Sequence, residues 1–189
     1  MKLPNSNILT AINSLICNFG KTSIMKVTFN IISAALAIFL FSGLAYSEQT
    51  ADSVLVLKSE SRLYLMRDGK ELTSFKVAFG ANPDGHKQQQ GDERTPEGHY
   101  ILDYKNPDSK YYKSIHISYP NALDRENARK RGVRPGGDIM IHGQPNGYGG
   151  FSTIVQLFNW TNGCIALSNR DMDVVWQMVN PGTPIEIRP

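Results

Sequence analysis

The stretch TNGCIAL, residues 161–167, contains Cys164, one of two cysteines in a chain of 189 residues. A thiol in such a position is either a small buried filler of the core or a nucleophile. Gly163 precedes it directly, and a glycine there permits close backbone approach and unusual dihedral angles. The amides around Gly163 and Cys164 can then point towards a developing oxyanion, so the stretch is compatible with acyl transfer.

The first 47 residues differ in composition from the rest of the chain. They contain no Asp or Glu, and they include the apolar run IISAALAIFLFSGLA at residues 31–45, with Lys26 just before it. A basic start, a short apolar run and small residues at its end are typical of a secretory signal peptide. We therefore predict a signal peptide over residues 25–47. An uncleaved membrane anchor is the alternative, because the run approaches the roughly 17 residues that a spanning helix needs.

Met25 followed by Lys26 resembles a natural translation start. Residues 1–24 are polar and irregular, which is an unusual prelude to a signal peptide. We interpret them as an N-terminal extension produced by a misassigned start site.

The charge and cysteine counts also divide at the end of this leader. The leader contains three of the 20 lysines and arginines and none of the 17 acidic residues, so the remaining chain has 17 charges of each sign. A neutral domain gives no indication of nucleic-acid binding, and membrane contact is expected only through an uncleaved leader. Cys17 lies in the leader, so the exported domain keeps Cys164 alone and cannot form an internal disulfide. The predicted location is the periplasm or cell envelope.

Hydrophobic periodicity after the leader predicts one mainly β domain, a compact β-sandwich or barrel-like fold. Short alternating runs such as SVLVLK and RLYLM recur between turn signals, and Asp68–Gly69 is typical of a hairpin. One or two short peripheral helices are expected, at NALDRENARKRG and after Ser168, where apolar residues recur at helical spacing. The polar loop ANPDGHKQQQGDERTPEG, residues 81–98, is long enough to be a functional lid or a mobile segment.

His142 is the candidate base for a reactive thiol. It ends the apolar strand DIMIHG and is followed by Gly143, which leaves room at the strand tip. A free thiol has a pKa near 8.5, so a nearby imidazole that accepts its proton makes it a better nucleophile. Spacing alone does not bring the two together, and a surface histidine is the alternative. His86 and His99 are expected to face solvent, whereas His116 is either half-buried or lines a cleft.

The segments IMIHG and TNGCIAL together resemble the signature of the L,D-transpeptidase catalytic domain, the YkuD-like family. That signature is a His-Gly pair, a variable stretch, then Ser/Thr-x-Gly-Cys and an aliphatic residue. GDERTPEGHYIL resembles the family's Thr-Pro-x-Gly-aromatic strand entry, and ISYPN and RPGGDIMIHG resemble an exported branch. The resemblance covers residues 53–188, the predicted catalytic domain.

The resemblance implies an enzyme that acts on peptidoglycan stem peptides without a metal or organic cofactor. Cys164 would attack the carbonyl between diaminopimelate and the terminal D-Ala of a tetrapeptide stem, releasing D-Ala. His142 would be general base and then general acid, with Gly143 orienting its ring and amides at Gly163 and Cys164 binding the oxyanion. The thioester would then pass to an amine of another stem or of a protein.

Two departures from the family pattern leave the acceptor open. Asn162 stands where many members carry His, and Ala166 stands where many carry Arg or Asn. A thiol hydrolase on the same bonds is therefore an alternative to a transpeptidase, and a non-catalytic wall-binding module is a third. The residues that could contact substrate are Thr161, Asn162, Trp160, Arg134 and Arg170. For the two arginines the alternative is a solvated surface charge, for Trp160 it is the core, and for Thr161 it is a local structural bond.

Overall fold

The computed structural model describes residues 49–147 and 158–189. The predicted signal peptide, residues 25–47, and the predicted extension, residues 1–24, lie outside these ranges. Within them the chain forms eight strands and two helices. The strands are β1 Ser53–Leu57, β2 Arg62–Arg67, β3 Lys70–Lys76, β4 Gly98–Ser109, β5 Tyr112–Ile117, β6 Met140–His142, β7 Ile165–Ala166 and β8 Thr183–Arg188; the helices are α1 Ala122–Lys130 and α2 Asn169–Met178.

The eight strands form one curled sheet in the order β3-β2-β1-β8-β4-β5-β6-β7. β8 is parallel to β1 and β7 is parallel to β6, and the other neighbours are antiparallel. The segment that follows β3 crosses to the far edge, where Ala78 and Ala166 exchange backbone hydrogen bonds of 2.9 and 2.8 Å. The sheet therefore curls into a half-barrel, and the predicted mainly β, barrel-like fold is confirmed.

Alternating burial along the strands places the core on the inner face of this sheet. Val54 and Val56 of β1 and Ile185 and Ile187 of β8 are almost completely buried, whereas the residues between them are at least partly exposed. Such alternation is what a strand with one packed face produces. Neither helix in the two described ranges has the length and apolarity to cross a membrane.

The helix predicted after Ser168 is present as α2. Met172, Val175 and Val179 are buried in the core, and Ser168 accepts a hydrogen bond from the Asp171 amide at 3.1 Å. This bond satisfies one of the unpaired amides at the start of the helix. Because Ser168 follows β7 by two residues, the cap also fixes the exit of the chain from the strand that Cys164 leads into.

The polar loop between β3 and β4 is held by the carboxylate of Asp92. That carboxylate accepts a hydrogen bond from the ammonium of Lys87 at 2.7 Å. It also accepts hydrogen bonds from the backbone amides of Gln88, Gln89 and Arg94 at 2.7 to 3.2 Å. Burial alone would raise the pKa of Asp92, but these bonds outweigh burial and lower it. The middle of the loop is therefore a fixed wall built around one carboxylate.

His86 is partly exposed, with its side chain 30% accessible, and His99 is exposed as expected. His86 Nδ1 accepts the Glu97 amide at 2.9 Å, and Nε2 lies 3.2 Å from the Asp124 carboxylate in α1. The two ring nitrogens of His86 therefore contact an amide of the loop and a buried carboxylate at the same time. His86 thus ties the loop to α1.

We predict that Gly80→Ala lowers the free energy of unfolding by about 1–3 kcal/mol, because an added methyl group overpacks this site. A Cβ at Gly80 would lie 2.0 Å from the Glu93 carbonyl oxygen, which is backbone and cannot swing away. Gly137→Ala is the matched control, since its Cβ would meet only Pro120 Cδ at 3.9 Å. Urea denaturation measures both. Equal effects of the two substitutions would contradict the close approach.

Candidate active site

His142 is held at the end of β6 between two neighbouring strands. Its backbone pairs with Ser114 of β5 and Ala166 of β7, and the residue is 3% exposed. The ring donates from Nδ1 to the Gly143 carbonyl at 2.7 Å, so the neutral imidazole presents an unprotonated Nε2. Burial lowers the pKa of His142, and the bond to Gly143 only partly offsets this. At neutral pH the ring is a free base.

Gly143 is required at its position by its neighbours. A Cβ there would lie 2.7 Å from Asn169 Oδ1 and 2.9 Å from Tyr112 Cβ. The same Asn169 oxygen accepts the Gln144 amide at 2.8 Å, which anchors the chain just after the imidazole to the start of α2. The contact expected between Gly143 and the His142 ring is the bond to the Gly143 carbonyl. The neighbours of Gly143 hold that carbonyl in place.

Cys164 directly precedes β7 and is partly exposed. Gly163 before it has φ +125°, and a Cβ at Gly163 would lie 2.5 Å from the Arg94 carbonyl oxygen, so only glycine fits. The thiol accepts the Met140 amide at 3.4 Å and lies 3.7 Å from the Asp138 carbonyl, to which it can donate. The sulfur thus rests against the backbone at the start of β6.

The pKa of the Cys164 thiol is raised, chiefly by burial. The Met140 amide and the positive charge of Lys87 act in the opposite direction without cancelling it, and Asp138 adds to the rise. The pKa of His142 is lowered at the same time, so burial favours the neutral form of both the thiol and the imidazole.

The two side chains lie on the same face of the sheet. β6 and β7 pair with Ile141 opposite Ile165, so continuing the register by one residue places Cys164 opposite Met140. Residues two apart on a strand share a face, which makes Cys164 and His142 diagonal neighbours at roughly 7–8 Å between backbones. Among the described residues the sulfur is hydrogen-bonded to β6 backbone and not to the imidazole, and such catalytic bonds often tighten only when substrate binds.

Thr161 fixes the turn that carries the cysteine. Its buried hydroxyl donates to the Cys164 carbonyl at 2.7 Å and accepts the Gly163 amide at 3.1 Å. The local bond expected for Thr161 is therefore present. Since the Gly163 amide is already engaged, its predicted part in an oxyanion hole would require that bond to be shared, and the predicted contribution of the Cys164 amide is unaffected.

Two aromatic side chains flank the imidazole. The Tyr111 ring lies 4.6 Å from the His142 ring and the Trp160 ring lies 5.7 Å from it, between centroids. Trp160 is only partly buried, so of the two roles left open for it the structure favours the flank of the site over the core. Tyr111, at the β4–β5 turn, was missed because no sequence pattern links a turn tyrosine to a distant histidine.

A cleft of about 370 Å³ opens beside the cysteine. Its lining includes Lys87 and Glu93 from the polar loop, Asp138 before β6, and Asn162 before the cysteine. A larger groove of about 610 Å³ lies over β1, β4 and β8, and neither Cys164 nor His142 lines either of the two cavities. The smaller cleft is the better candidate for substrate, because residues adjacent to the sulfur in space line it.

The two candidate arginines are exposed and separate from the imidazole. The Arg134 carbonyl accepts the Gln90 amide at 2.8 Å, which puts its backbone near the rim of the cleft. Arg170 lies in the first turn of α2. Within the described residues neither guanidinium forms an ion pair. Their part in binding substrate stays a prediction, and both are also compatible with surface charges.

The fold and this site define a class of protein. The L,D-transpeptidase catalytic domain family, YkuD, matches residues 51–187, and the chain belongs to that family. Enzymes of the family act on peptidoglycan stem peptides. The resemblance drawn from the two short segments is therefore confirmed.

Three relatives are similar to this chain in sequence or in structure. The chain is 33% identical over 143 residues to the Escherichia coli K12 protein named "Putative L,D-transpeptidase YafK", which covers 71% of this chain and 50% of that one. The helical cell shape determining protein Pgp2 from Campylobacter jejuni is 30% identical with a TM-score of 0.54, over 71% of this chain and 46% of Pgp2. Bdellovibrio bacteriovorus Bd1075, at 24% identity and a TM-score of 0.51 over 76% and 50% of the two chains, shows the fold alone. The chain spans about half the length of the relatives it matches.

We predict that the rate of Cys164 alkylation by iodoacetamide rises with pH to a midpoint above the ordinary thiol pKa of about 8.5. The reason is that burial disfavours the thiolate, which is the reactive form. The rate is followed by the mass of the Cys164 peptide, which separates it from Cys17. The same chain in urea is the control and should titrate near the ordinary value. A rate that stays on a plateau down to about pH 5 would instead mean a stored thiolate–imidazolium pair.

We predict that Tyr111→Ala raises the pKa of His142 towards the ordinary value of about 6.5, whereas Tyr111→Phe leaves it unchanged. The aromatic ring shields the imidazole from water, and burial is what lowers its pKa. An NMR titration of the His142 ring protons measures the shift. An equal change in both variants would assign the effect to the hydroxyl and not to the ring.

Proposed function

We propose that this protein is a peptidoglycan L,D-transpeptidase that works through a thioester on Cys164. The observation that carries the proposal is that the family's histidine ends β6 while its cysteine directly precedes the neighbouring β7, with the sulfur hydrogen-bonded to the β6 backbone. The cleft beside the cysteine offers room for an extended peptide. The fixed loop around Asp92 forms one wall of that cleft.

In the first half-reaction the thiol attacks the carbonyl carbon between diaminopimelate and the terminal D-Ala of a tetrapeptide stem. His142 Nε2 takes the thiol proton as the C–S bond forms, and the same proton is then given to the departing D-Ala nitrogen as the C–N bond breaks. The bond from Nδ1 to the Gly143 carbonyl holds the tautomer that this exchange needs and stabilises the imidazolium. The products are free D-Ala and an acylated Cys164.

The neutral resting state is suited to this exchange. A thiol whose pKa is raised and an imidazole whose pKa is lowered have a small driving force for proton transfer until charge develops on the substrate. The Met140 amide and the Lys87 charge then favour the sulfur as it becomes negative. Attack is thereby coupled to the presence of a carbonyl, which limits reaction of the free thiol with other electrophiles.

In the second half-reaction an amine of another stem or of a protein takes the acyl group. Hydrolysis by water is the second candidate, and one observation favours it. Ala166, which is completely buried, stands where many family members carry a longer polar side chain, so that side chain is not available here to a second substrate. Product masses separate the two, because water yields shortened free stems and amines yield cross-links.

The position in the cell and the domain limits belong to the same proposal. Residues 25–47 would direct export to the periplasm or cell envelope, and the catalytic domain would run over residues 53–188. The substrate is found only there, and the relative Pgp2 is a cell-shape determinant. Membrane contact would arise only if the leader is retained.

We predict that the protein releases D-Ala from a tetrapeptide muropeptide and accumulates an acyl adduct on Cys164. Cys164→Ala should abolish both, and His142→Gln should slow release by about 10²- to 10⁴-fold, which is the usual contribution of a general base. Mass spectrometry of the products and of the protein measures this. His99→Gln is the control, because His99 is exposed on β4 away from the site.

Absence of both D-Ala release and adduct in the reduced wild-type protein would overturn the enzyme proposal. A wall-binding module without catalysis predicts instead that Cys164→Ala retains muropeptide binding and the cellular phenotype. Binding to sacculi by the variant, measured together with release by the wild type, distinguishes these readings.

A further inference from the structure

A bulge in β4 gathers three polar and aromatic side chains beside the catalytic strands. Leu102 pairs with Ile117 and Lys105 with Ile115, so Asp103 and Tyr104 together oppose the single residue His116. A bulge of this kind turns two side chains of one strand towards one residue of the next, and bulges often occur next to active sites. The three residues Asp103, Tyr104 and His116 are called the bulge cluster below.

The three side chains of the bulge cluster are in close contact with one another, and the cluster is partly exposed to solvent. His116 Nδ1 lies 2.7 Å from Asp103 Oδ1, and the Tyr104 ring is stacked on the imidazole at 4.7 Å with an interplanar angle of 14°. The side chain of His116 is 15% exposed and that of Asp103 is 41% exposed. Since the carboxylate can only accept, Nδ1 donates, and the neutral ring offers Nε2 as an acceptor.

The bulge cluster lies on the same face of the sheet as the thiol and the catalytic imidazole. His116 pairs with Met140, and Met140 lies opposite Cys164 in the continued register. Directly paired residues point to the same face, so His116, Met140 and Cys164 form one row across three strands. Neighbouring strands are about 4.8 Å apart, which puts the backbones at the two ends of the row about 10 Å from each other.

We propose that the bulge cluster is the acceptor subsite, where a primary ammonium group is bound and deprotonated before it attacks the thioester. This rests on the proposed function, since it needs an acyl group on Cys164. A carboxylate, an imidazole acceptor and an aromatic face each favour a cation.

The spacing of the row suits this role. A carbonyl carbon attached to the sulfur stands over Cys164, and an attacking nitrogen approaches it from about 3 Å away. A further hydrogen bond of roughly 3 Å from that nitrogen can reach a base on β5. A nitrogen above Met140 therefore lies between the thioester and His116 Nε2.

The bound ammonium gives one proton to His116 Nε2, which returns it to solvent. The resulting amine attacks the thioester carbonyl, so a C–N bond forms and the C–S bond breaks. The second proton of that nitrogen passes to His142, which delivers it to the departing sulfur. The products are an amide link, the free thiol and one released proton.

The test measures how the acyl enzyme divides between amine and water. A tetrapeptide stem is the donor, a tripeptide stem with a free diaminopimelate amine is the acceptor, and products are counted by mass spectrometry. His116→Gln and Asp103→Asn should each lower the ratio of transfer to hydrolysis by about tenfold or more, as loss of a general base does. His99→Gln is the matched control and should leave the ratio unchanged, because its side chain is 82% exposed and faces Glu186.

A second measurement uses the wild-type protein alone and so does not depend on the folding of a variant. A tripeptide stem whose amine is trimethylated keeps its charge but cannot attack, and it should inhibit transfer. The N-acetylated stem, which has lost the charge, should not. Inhibition by both or by neither would overturn the proposal.

Other outcomes are also decisive. An unchanged ratio in His116→Gln, or an equal slowing of D-Ala release and transfer, would overturn the acceptor subsite and leave the proposed function intact. If Tyr104→Ala impairs only acceptors that carry a disaccharide while His116→Gln has no effect, the bulge cluster is a sugar platform and the proposal fails. If the wild-type protein releases no D-Ala, the proposed function fails and the subsite fails with it.

Discussion

The parallel pairing of β6 with β7 is the constraint on which the rest of the site depends. Each strand is only two or three residues long, yet the register of Ile141 with Ile165 decides which side chains share a face. A shift of β7 by one residue would turn the cysteine to the opposite face of the sheet from the histidine. The register is held from both sides, since the Ala78 segment pairs with the outer edge of β7 and the whole of β6 pairs with β5. The backbone before Cys164 can take this path only with glycine at position 163, because any side chain there would collide with the Arg94 carbonyl.

The electrostatics of the site follow from that packing. The same burial that positions the imidazole and the thiol removes water from both, which lowers one pKa and raises the other. The buried Lys87 is held by Asp92 in the wall of the cleft. Its positive charge lowers the pKa of Cys164, against the effect of burial. A buried ion pair of this kind loses much of its net contribution to stability in desolvation. In the proposed reaction it would fix a positive charge near a sulfur that becomes negative.

Much of this could be read from the sequence, and the remainder has a common physical cause. The mainly β fold and the family followed from alternating apolar runs and from two short segments, and both are confirmed. The contact of Tyr111 with the His142 ring and that of His86 with Asp124 could not be predicted, because each depends on a partner from a distant part of the chain. The bulge at Asp103 and Tyr104 is invisible for the same reason, since a bulge is defined by the register of two strands. Sequence patterns report which face a residue prefers, whereas contacts across strands are fixed only when the whole sheet closes.

The place of β8 in the sheet has a consequence for how the molecule comes into being. These last residues of the chain are inserted between β1 and β4, parallel to one and antiparallel to the other, so they join the two halves of the sheet. A nascent polypeptide that lacks them has two separate ladders with unpaired edges and an incomplete core. Closure of the sheet must therefore wait until β8 is in place. Until then the strands next to the imidazole and the sulfur belong to a ladder that is separate from β1, β2 and β3.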